Sequence, residues 1–289
     1  MSSRYAQARR ALSAALEIRR KIGISLDEPI AIFDAALQLG ILVNFCYVSS
    51  LEGMWCKEKR VIILSALRPA GRRVFTCAHE LAHAHFDHGT TIDELLDYAP
   101  ADYSSPEEYL ANQTAAYLLM PLFAVSLQLR IRNWNASKIS PVEVYKLATF
   151  FGVGYGALVN HMYYTLRLID RNVFEGLSKY SPKDIRARLC PHFSARHLIL
   201  VDQFWGERPI DLEEGDLVMF PVGSQIDNTL LEIAGSNACE DVAAYARNVG
   251  VGYFALPDGR TILTRVSANE FVGFADYRFT EKNNVYGIP

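Results

Sequence analysis

The chain has 289 residues, enough for one large domain or two ordinary ones. Half of its residues are hydrophobic and 21% are charged, as in an ordinary globular protein, and its formal net charge is -3. This balance excludes a global electrostatic attraction to nucleic acid or to a membrane surface, and leaves only a local basic patch for that purpose.

Cysteines and hydropathy narrow the class of protein further. The five cysteines are odd in number and widely spaced, and they form no CxxC pair, which argues against a disulfide framework and against a cysteine zinc site. We therefore expect reduced thiols and a cytoplasmic protein. No apolar run approaches the roughly 18 residues that a membrane span needs, so no membrane association is predicted.

The chain is predicted to begin with two helices. Residues 1–22 have helical spacing, with Leu12 and Leu16 facing inward and the arginines facing outward. The same Arg-rich and Ala-rich stretch is typical of a transit peptide, but it lacks a small-residue cleavage signal, which favours the helix. The second helix is predicted over residues 28–39, with Asp27 as its cap.

Two strands and a long helix follow. Residues 40–48 and 60–65 are rich in β-branched and aromatic side chains, and Gly53 lies between them, which predicts a sheet that folds back on itself. The stretch 68–86 begins with Pro and Gly and continues with a helical period, and we expect that helix to end at Gly89.

The rest of the chain changes from helices to strands. After a loop at 98–106, a helix is predicted over 106–121 with a proline at either end, and helices continue to about residue 170. Beyond it, β-rich segments separated by turn residues predict strands. Residues 181–189 and 239–249 are predicted short helices beside these strands.

This order of elements predicts an α+β fold. Residues 1–140 are expected to form a mainly helical domain with a small sheet. A helix-turn-helix-like helical segment is expected over 141–172 because glycines stand at the position of the turn. Residues 173–289 are expected to form a β-rich α+β accessory domain, for which sensing or docking is the functional interpretation and a plain hydrophobic core the structural one.

The stretch TCAHELAHAHFDHG holds four of the seven histidines of the chain. His79 and His83 are four residues apart, so a helix places both on one face and lets both imidazoles reach one Zn²⁺. Glu80 lies one step round the helix and can reach a water beside that ion. This H-E-x-x-H pattern is short and also occurs by chance, but a buried histidine pair needs partners, which a metal ion supplies.

A third ligand is expected from the helix with the sequence PEEYLANQTAAYLLMP. Glu108 lies nearer than Glu107 to the apolar side of this helix, marked by Ala111 and Ala115, and would complete a His₂Glu site with one open position. Asn112 follows Glu108 by one turn and is a candidate to hold a metal ligand by a hydrogen bond. The helix dipole alone also favours glutamate in a first turn, which fully accounts for Glu107.

The other polar side chains of this stretch are expected to be accessory or exposed. His85 points away from the stripe of His79 and His83. His88 stands at the helix end, where the dipole favours a positive charge. Asp87 has no assigned role, although it would reach a ligating histidine if the chain turned back.

These motifs resemble those of the ImmA/IrrE family of zinc metallo-endopeptidases. The first helix resembles the family pattern R-F-T-x-A-H-E-x-x-H, with Val74 as one extra residue. The second resembles E-x-x-A-N-x-F-A-x-x-L-L-M-P, with Thr114 in the place of phenylalanine. The similarity covers roughly residues 8–170, and the two differences affect packing and not the ligands.

The resemblance implies a zincin-like catalytic domain with defined residue roles. His79, His83 and Glu108 would bind Zn²⁺, and Glu80 would be the general base that takes a proton from the attacking water and passes it to the leaving amine. Mn²⁺ and Fe²⁺ also suit a His₂Glu ligand set, depending on supply.

The resemblance also implies a class of substrate. Family members often cleave a helix-turn-helix transcriptional repressor in stress response or mobile-element control, so a repressor or antitoxin is the expected substrate. It would dock along an edge strand of the small sheet, here predicted at 60–65. DNA binding by this chain is not expected, because the second helix of the helix-turn-helix-like segment offers only His161 and Arg167. The oligomeric state stays open.

Two other functions compete with the protease. The first is a non-catalytic regulator that binds a repressor or antitoxin without cleaving it. The intact Glu80 argues against this function, because a non-catalytic protein has no need for the general base. The second is a DNA-binding factor with a structural histidine cluster, which would show a steep dependence of DNA affinity on salt.

Overall fold

The α+β fold predicted from the sequence is confirmed. The computed structural model describes residues 2–94, 105–226, 228–236 and 241–281, so Cys239 and most of the predicted loop at 98–106 lie outside the described residues. The α-helices are α1 (Ser2–Lys21), α2 (Ile32–Gln38), α3 (Ala70–Phe86), α4 (Pro106–Leu119), α5 (Leu122–Ile131), α6 (Pro141–Phe151), α7 (Tyr155–Asn160), α8 (Arg171–Leu177) and α9 (Pro182–Leu189).

Strands occur in both halves of the chain and dominate the second. They are β1 (Leu42–Cys46), β2 (Leu51–Cys56), β3 (Val61–Ser65), β4 (Thr91–Glu94), β5 (Leu198–Leu200), β6 (Ile210–Glu213), β7 (Leu217–Phe220), β8 (Leu231–Ser236), β9 (Val242–Ala246), β10 (Gly250–Ala255), β11 (Thr261–Ser267) and β12 (Gly273–Phe274).

The chain divides into two compact units by its internal packing. One is Met1–Val125 with Val272–Asp276, and the other is Ser126–Phe271 with Tyr277–Pro289. The division into three domains at residues 140 and 172 stays a prediction.

The first unit is built on a five-stranded sheet with the order β12-β1-β3-β2-β4. β1 and β3 are parallel, and the other neighbours are antiparallel. Val43, Ile62 and Trp55 lie side by side in register and are all buried, because side chains alternate between the two faces of a strand. α3 packs against β2 and β3, so the helix with the HELAH sequence is fixed on this sheet.

The sheet corrects two predictions. Gly53 does not lie in a connection but inside β2, whose glycine and glutamate gave it little strand propensity. The stretch 60–65 is not an edge, because β3 is paired on both sides, with β1 and with β2. Among the described residues, the edges of this sheet are the two-residue β12 and the unpredicted β4, whose Thr91 contacts Glu80 of α3.

The first helix also corrects the prediction of its buried face. α1 has the predicted extent, but the side chains of Leu12 and Leu16 are about 40% exposed, whereas Arg19 is buried. The Arg19 guanidinium donates to the backbone carbonyls of Leu118 and Glu28, each at 3.0 Å, which ties α1 to α4. Burial lowers the pKa of Arg19 to about 10, so the group stays charged at neutral pH.

The start of α2 differs from the prediction. The helix begins at Ile32 and not at residue 28, and its cap residue, Ala31, makes no side-chain hydrogen bond. Asp27 is therefore not the cap, and Pro29 lies before the first turn. A capping residue and a proline predict a helix start only to within a few residues.

The second unit carries two sheets, with the orders β10-β11-β6 and β5-β7-β9-β8. The predicted helix over 181–189 is confirmed by α9. The predicted helix over 239–249 is wrong where the structure describes it, because Val242–Ala246 forms β9 between β7 and β8. Its alanines favour a helix in isolation, but burial in a central strand overrides that propensity.

The predicted helix-turn-helix-like segment has two helices at a steep angle. Pro141–Phe151 and Tyr155–Thr165 are bent by 104°, within the range typical of a helix-turn-helix. Gly152 ends α6 in a left-handed conformation with φ of 69°. The Arg208 guanidinium covers this turn and donates to the carbonyl of Phe150. The turn therefore favours glycine for its conformation, and a Cβ there would also displace the Arg208 guanidinium.

Gly152→Ala is expected to lower the free energy of unfolding by about 1–2 kcal/mol, the cost of a left-handed conformation with a Cβ. The added Cβ would stand 2.3 Å from a guanidinium nitrogen of Arg208, so the hydrogen bond to Phe150 would also be strained. Urea denaturation measures the change. Gly156→Ala is the control, since Gly156 lies inside α7 with open space around its Cα, and should stabilise by roughly 0.5–1 kcal/mol. Equal effects would contradict the prediction.

The structure describes four of the cysteines and one long apolar helical stretch. Cys46, Cys56, Cys77 and Cys190 form no disulfide in the part of the chain that the structure describes. The prediction that no apolar run approaches the length of a membrane span is wrong. One helical stretch, Pro106–Ile131, has that length and composition, with a mean hydropathy of 1.4 over 18 residues, but 61% of that window is buried inside the protein. Core helices of folded domains share these properties.

Candidate metal centre

α3 brings the two histidines of the HELAH sequence together. His79 and His83 lie on one face of α3, are 4% and 0% exposed, and have their Nε2 atoms 2.9 Å apart. The helix holds them there because its apolar face is packed on the sheet. Two buried imidazoles that face each other across one turn need a shared polar partner.

α4 supplies that partner through Glu108. Ser105 caps the helix by accepting a hydrogen bond from the Glu108 backbone nitrogen, and Pro106 is its first residue. The two Glu108 carboxylate oxygens lie 3.2 Å from His79 Nε2 and 3.3 Å from His83 Nε2. Hydrogen bonds from these two imidazoles hold the pKa of the Glu108 carboxyl far below its usual range. Glu107, the rival in the sequence, is exposed.

The spacing of these atoms fits a divalent metal ion. The candidate ligand atoms of His79, His83 and Glu108 all lie within 4.8 Å of one another. Ligands at about 2.0–2.1 Å in a tetrahedron around Zn²⁺ lie about 3.3 Å apart. The two nitrogen–oxygen distances, to different oxygens of Glu108, are 3.2 and 3.3 Å, and the Nε2–Nε2 distance is shorter, at 2.9 Å. Two imidazoles with one carboxylate are a ligand set that zinc prefers.

Each histidine is held at its other ring nitrogen. His79 Nδ1 lies 3.1 Å from Asn112 Oδ1. The sequence made Asn112 a candidate to hold a metal ligand, without saying which one. His83 Nδ1 lies 3.0 Å from His88 Nδ1. Nδ1 of each imidazole is thereby occupied, and Nε2 of each faces the cluster with Glu108.

The end of α3 brings His88 back to the cluster. The helix ends at Asp87 with φ of 59°, a left-handed conformation in a residue other than glycine, so Gly89 is not its terminator. The Asp87 carboxylate pairs with Lys57 at 2.7 Å and does not orient a histidine. His85 lies 3.7 Å from Glu17 and takes no part in the cluster.

Glu80 is completely buried beside the cluster. Its Oε2 accepts a hydrogen bond of 2.9 Å from the Thr91 hydroxyl at the start of β4. A Cβ at Gly53 would stand 2.8 Å from Glu80 Oε1 and 2.4 Å from Thr76 Cγ2, so β2 passes the Glu80 carboxylate at a distance that only glycine allows. The Thr91 hydroxyl and the backbone of β2 at Gly53 together fix the orientation of the Glu80 carboxylate.

The sequence analysis placed His88 among accessory or exposed side chains without identifying its contact with His83, and it missed the contacts of Thr91 and Gly53 with Glu80. A glycine inside a β-rich stretch signals the close approach of another group, which would have identified Gly53 had β2 been recognised. No signal in the sequence identifies His88 or Thr91, because both depend on the reversal of the chain at Asp87.

The part of the chain that holds this cluster matches a known protein family. The model of the Peptidase_M78 family, described as the IrrE N-terminal-like domain, matches residues 28–163. Among solved structures, a Mycobacterium tuberculosis transcriptional regulator is similar at 15% identity with a TM-score of 0.37, over 53% of this chain. The match spans 46% of the regulator, about half of its length. No curated protein matches the chain.

Proposed function

We propose that this chain, which carries an IrrE N-terminal-like domain of the ImmA/IrrE family over residues 28–163, is a zinc-dependent endopeptidase. The main support for this proposal is that His79 Nε2, His83 Nε2 and both Glu108 carboxylate oxygens lie close together. The buried Glu80 carboxylate follows His79 on the same helix. Two nitrogens, one carboxylate and a separate carboxylate base are the parts that metal-assisted peptide hydrolysis requires.

His79, His83 and Glu108 would hold the ion, and Asn112 would orient His79. When bound, zinc supplies Lewis-acid polarisation of the scissile carbonyl and lowers the pKa of water. Zn²⁺ suits these ligands best, and Mn²⁺ or Fe²⁺ are the other candidates. The metal is identified by mass spectrometry of the purified full chain. One zinc per chain is the expected result, and a chain that takes up no metal from a zinc solution would contradict the proposal.

Glu80 would move the protons of the reaction. Its carboxylate takes one proton from the water that attacks the scissile carbon, and gives that proton to the amine nitrogen as the C–N bond breaks. The Thr91 hydroxyl holds Oε2, so the carboxylate keeps one orientation through this exchange. Burial of Glu80 excludes bulk water from the proton transfer.

The substrate we propose is a helix-turn-helix transcriptional repressor or an antitoxin, cleaved in the cytoplasm during stress response or mobile-element control. The resemblance of both helices of the site to the ImmA/IrrE motifs supports this substrate class. The test is to add the purified chain to a lysate of its own organism and to identify new protein N-termini by mass spectrometry. A repressor fragment that appears with the wild type and not with His83→Ala is expected, and an unchanged set of N-termini would contradict the substrate class.

We do not assign base recognition in DNA to the helix-turn-helix-like segment. The exposed residues of Tyr155–Thr165 are Gly156, Asn160 and Tyr164, none of which is basic. A DNA-recognition helix needs cationic or amide side chains at several exposed positions to contact the bases. A DNA affinity that falls steeply with salt would contradict this assignment.

Gly53→Ala is expected to reduce kcat by about 10²-fold, as displacements near 1 Å at a reacting group do. The new Cβ would push the Glu80 carboxylate and Thr76, neither of which is in the metal-ligand cluster, so zinc affinity should stay unchanged. Cleavage kinetics on the repressor substrate and a zinc titration measure the two effects. Gly206→Ala is the control, because a Cβ there meets no atom within 4 Å. A loss of zinc with full structure retained would refute this explanation.

A further inference from the structure

The two histidines of the metal centre are held by different kinds of partner. Asn112 Oδ1 holds His79 Nδ1 at 3.1 Å, and an imidazole nitrogen, His88 Nδ1, holds His83 Nδ1 at 3.0 Å. Asn112 comes from α4, whereas His88 lies only two residues beyond the end of α3. A residue so close in sequence to its partner reaches it only if the chain reverses direction.

The end of α3 provides that reversal. Asp87 adopts φ of 59° and ψ of 39°, and the His88 backbone nitrogen then donates to the carbonyl of His83 at 3.1 Å. The backbone of His88 is therefore fixed to the same residue that its side chain contacts. The reversal places the His88 ring beside the His83 ring, with centroids 5.1 Å apart.

Packing restricts the orientation of the His88 ring. It stacks on the Phe86 ring at 5.4 Å between centroids and an angle of 17°. Phe86 in turn lies under the Arg10 guanidinium of α1, 5.7 Å from the ring centroid. The Phe86 ring therefore supports one face of the His88 ring, and Nδ1 is directed toward His83.

The proton between the two Nδ1 atoms has one position that is compatible with metal binding. A histidine that binds an ion through Nε2 has no proton there, so its neutral ring carries the proton on Nδ1. His83 Nδ1 then donates, and His88 Nδ1 accepts through its lone pair. This is the hydrogen-bond role that Asn112 Oδ1 has for His79.

We propose that His88 is a positioning residue of the metal centre, which accepts the Nδ1 proton of His83 and thereby directs His83 Nε2 toward the ion. This inference rests on the proposed metal site and adds a residue to it. His88 does not touch the ion or the substrate. It acts through His83, as partners of ligating histidines do in other metal centres.

Two variants of His88 show whether its side chain acts as a hydrogen-bond acceptor for His83 or only packs against it. In His88→Asn the side-chain oxygen takes the position of Nδ1 and can accept the same hydrogen bond, as Asn112 does. In His88→Leu the side chain is similar in size and accepts none. His85→Leu is the matched control, because His85 belongs to the same helix end but lies near Glu17 and outside the cluster.

The measurement is the zinc dissociation constant of the purified full chain, by competition with a chromophoric chelator. We expect His88→Leu to bind zinc about 10–100-fold more weakly than the wild type. We expect His88→Asn to recover most of that loss, and His85→Leu to bind like the wild type. The thermal midpoint of each zinc-free protein shows whether the variant is folded.

Each contrary result has a distinct meaning. Wild-type affinity in His88→Leu would overturn the positioning role and leave the metal site intact. An affinity of His88→Asn as weak as that of His88→Leu would also overturn it, because the acceptor would then be irrelevant. A wild type that binds no zinc would instead refute the proposed function, and this inference with it.

Discussion

Glu80→Gln is expected to slow cleavage of the repressor substrate by about 10²–10⁴-fold while zinc stays bound, the range that general acid–base catalysis contributes. The amide has the size of the carboxylate, but it cannot take the proton of the attacking water. Glu80 is not in the cluster of candidate ligands, so its loss should not change metal affinity. The Thr91 hydroxyl can donate to the amide oxygen as it does to the carboxylate, which keeps the side chain in place.

The decisive comparison is between cleavage rate and zinc content in the same preparation. Glu107→Gln is the matched control, since Glu107 is an exposed carboxylate next to Glu108 in sequence. It should leave both quantities unchanged. Wild-type cleavage by Glu80→Gln would remove the general base from the mechanism. A wild type and a Glu80→Gln variant that both bind the repressor without cleaving it would establish the non-catalytic regulator in place of the protease.

The centre of the site was predictable because it depends on one local rule. Residues four apart share a helix face, which places His79 beside His83 without any knowledge of tertiary structure. The choice of Glu108 over Glu107 needed only the phase of the next helix, and the structure brings Glu108 and not Glu107 to the two histidines. Short-range periodicity therefore placed His79 beside His83 and favoured Glu108 over Glu107, and the resemblance to the ImmA/IrrE motifs joined the two helices into one ligand set.

The surroundings of the site were not predictable because they depend on the path of the chain. His88 reaches His83, and Thr91 reaches Glu80, after the chain reverses at Asp87. Asp87 takes a left-handed conformation there, which aspartate adopts seldom and glycine often, so the sequence pointed to Gly89. β4 has four residues and pairs only at the outer side of β2, a long-range contact with no periodic signal. Sequence patterns indicate the helix or strand propensity of a segment. They do not indicate which distant segments pack together, and the contacts of His88 and β4 depend on that packing.

The fold shows the same division between local and long-range determinants. The long helices and the β-rich character of the second unit were predicted, because their patterns extend over many residues. Val242–Ala246 was mistaken for part of a helix, since only its neighbours β7 and β8 make this alanine-rich stretch a strand. Arg19 was placed outside, although the carbonyls of Leu118 and Glu28 justify its burial.

Glu108→Ala is expected to weaken zinc binding by more than about 100-fold, since even the loss of a partner of a ligand costs 10–100-fold. Two imidazoles would remain, which is fewer than the three protein ligands that a zinc site of this type needs. The fold should survive, because the carboxylate is 31% exposed and the Ser105 cap uses only the Glu108 backbone. Cleavage should fall with the bound zinc.

Glu107→Ala is the control that shows whether the effect of Glu108→Ala depends on the position of the removed carboxylate. It removes the same charge from the same helical turn, so a general electrostatic effect on zinc would appear in both variants, and a ligand effect only in Glu108→Ala. Titration of both proteins with zinc against a chelator measures the difference. Zinc held at wild-type affinity by Glu108→Ala would transfer the third position to another carboxylate or imidazole. Asp87 would be a poor candidate, because its carboxylate is paired with Lys57 at 2.7 Å. Glu107 and His88 would then be the side chains to replace next.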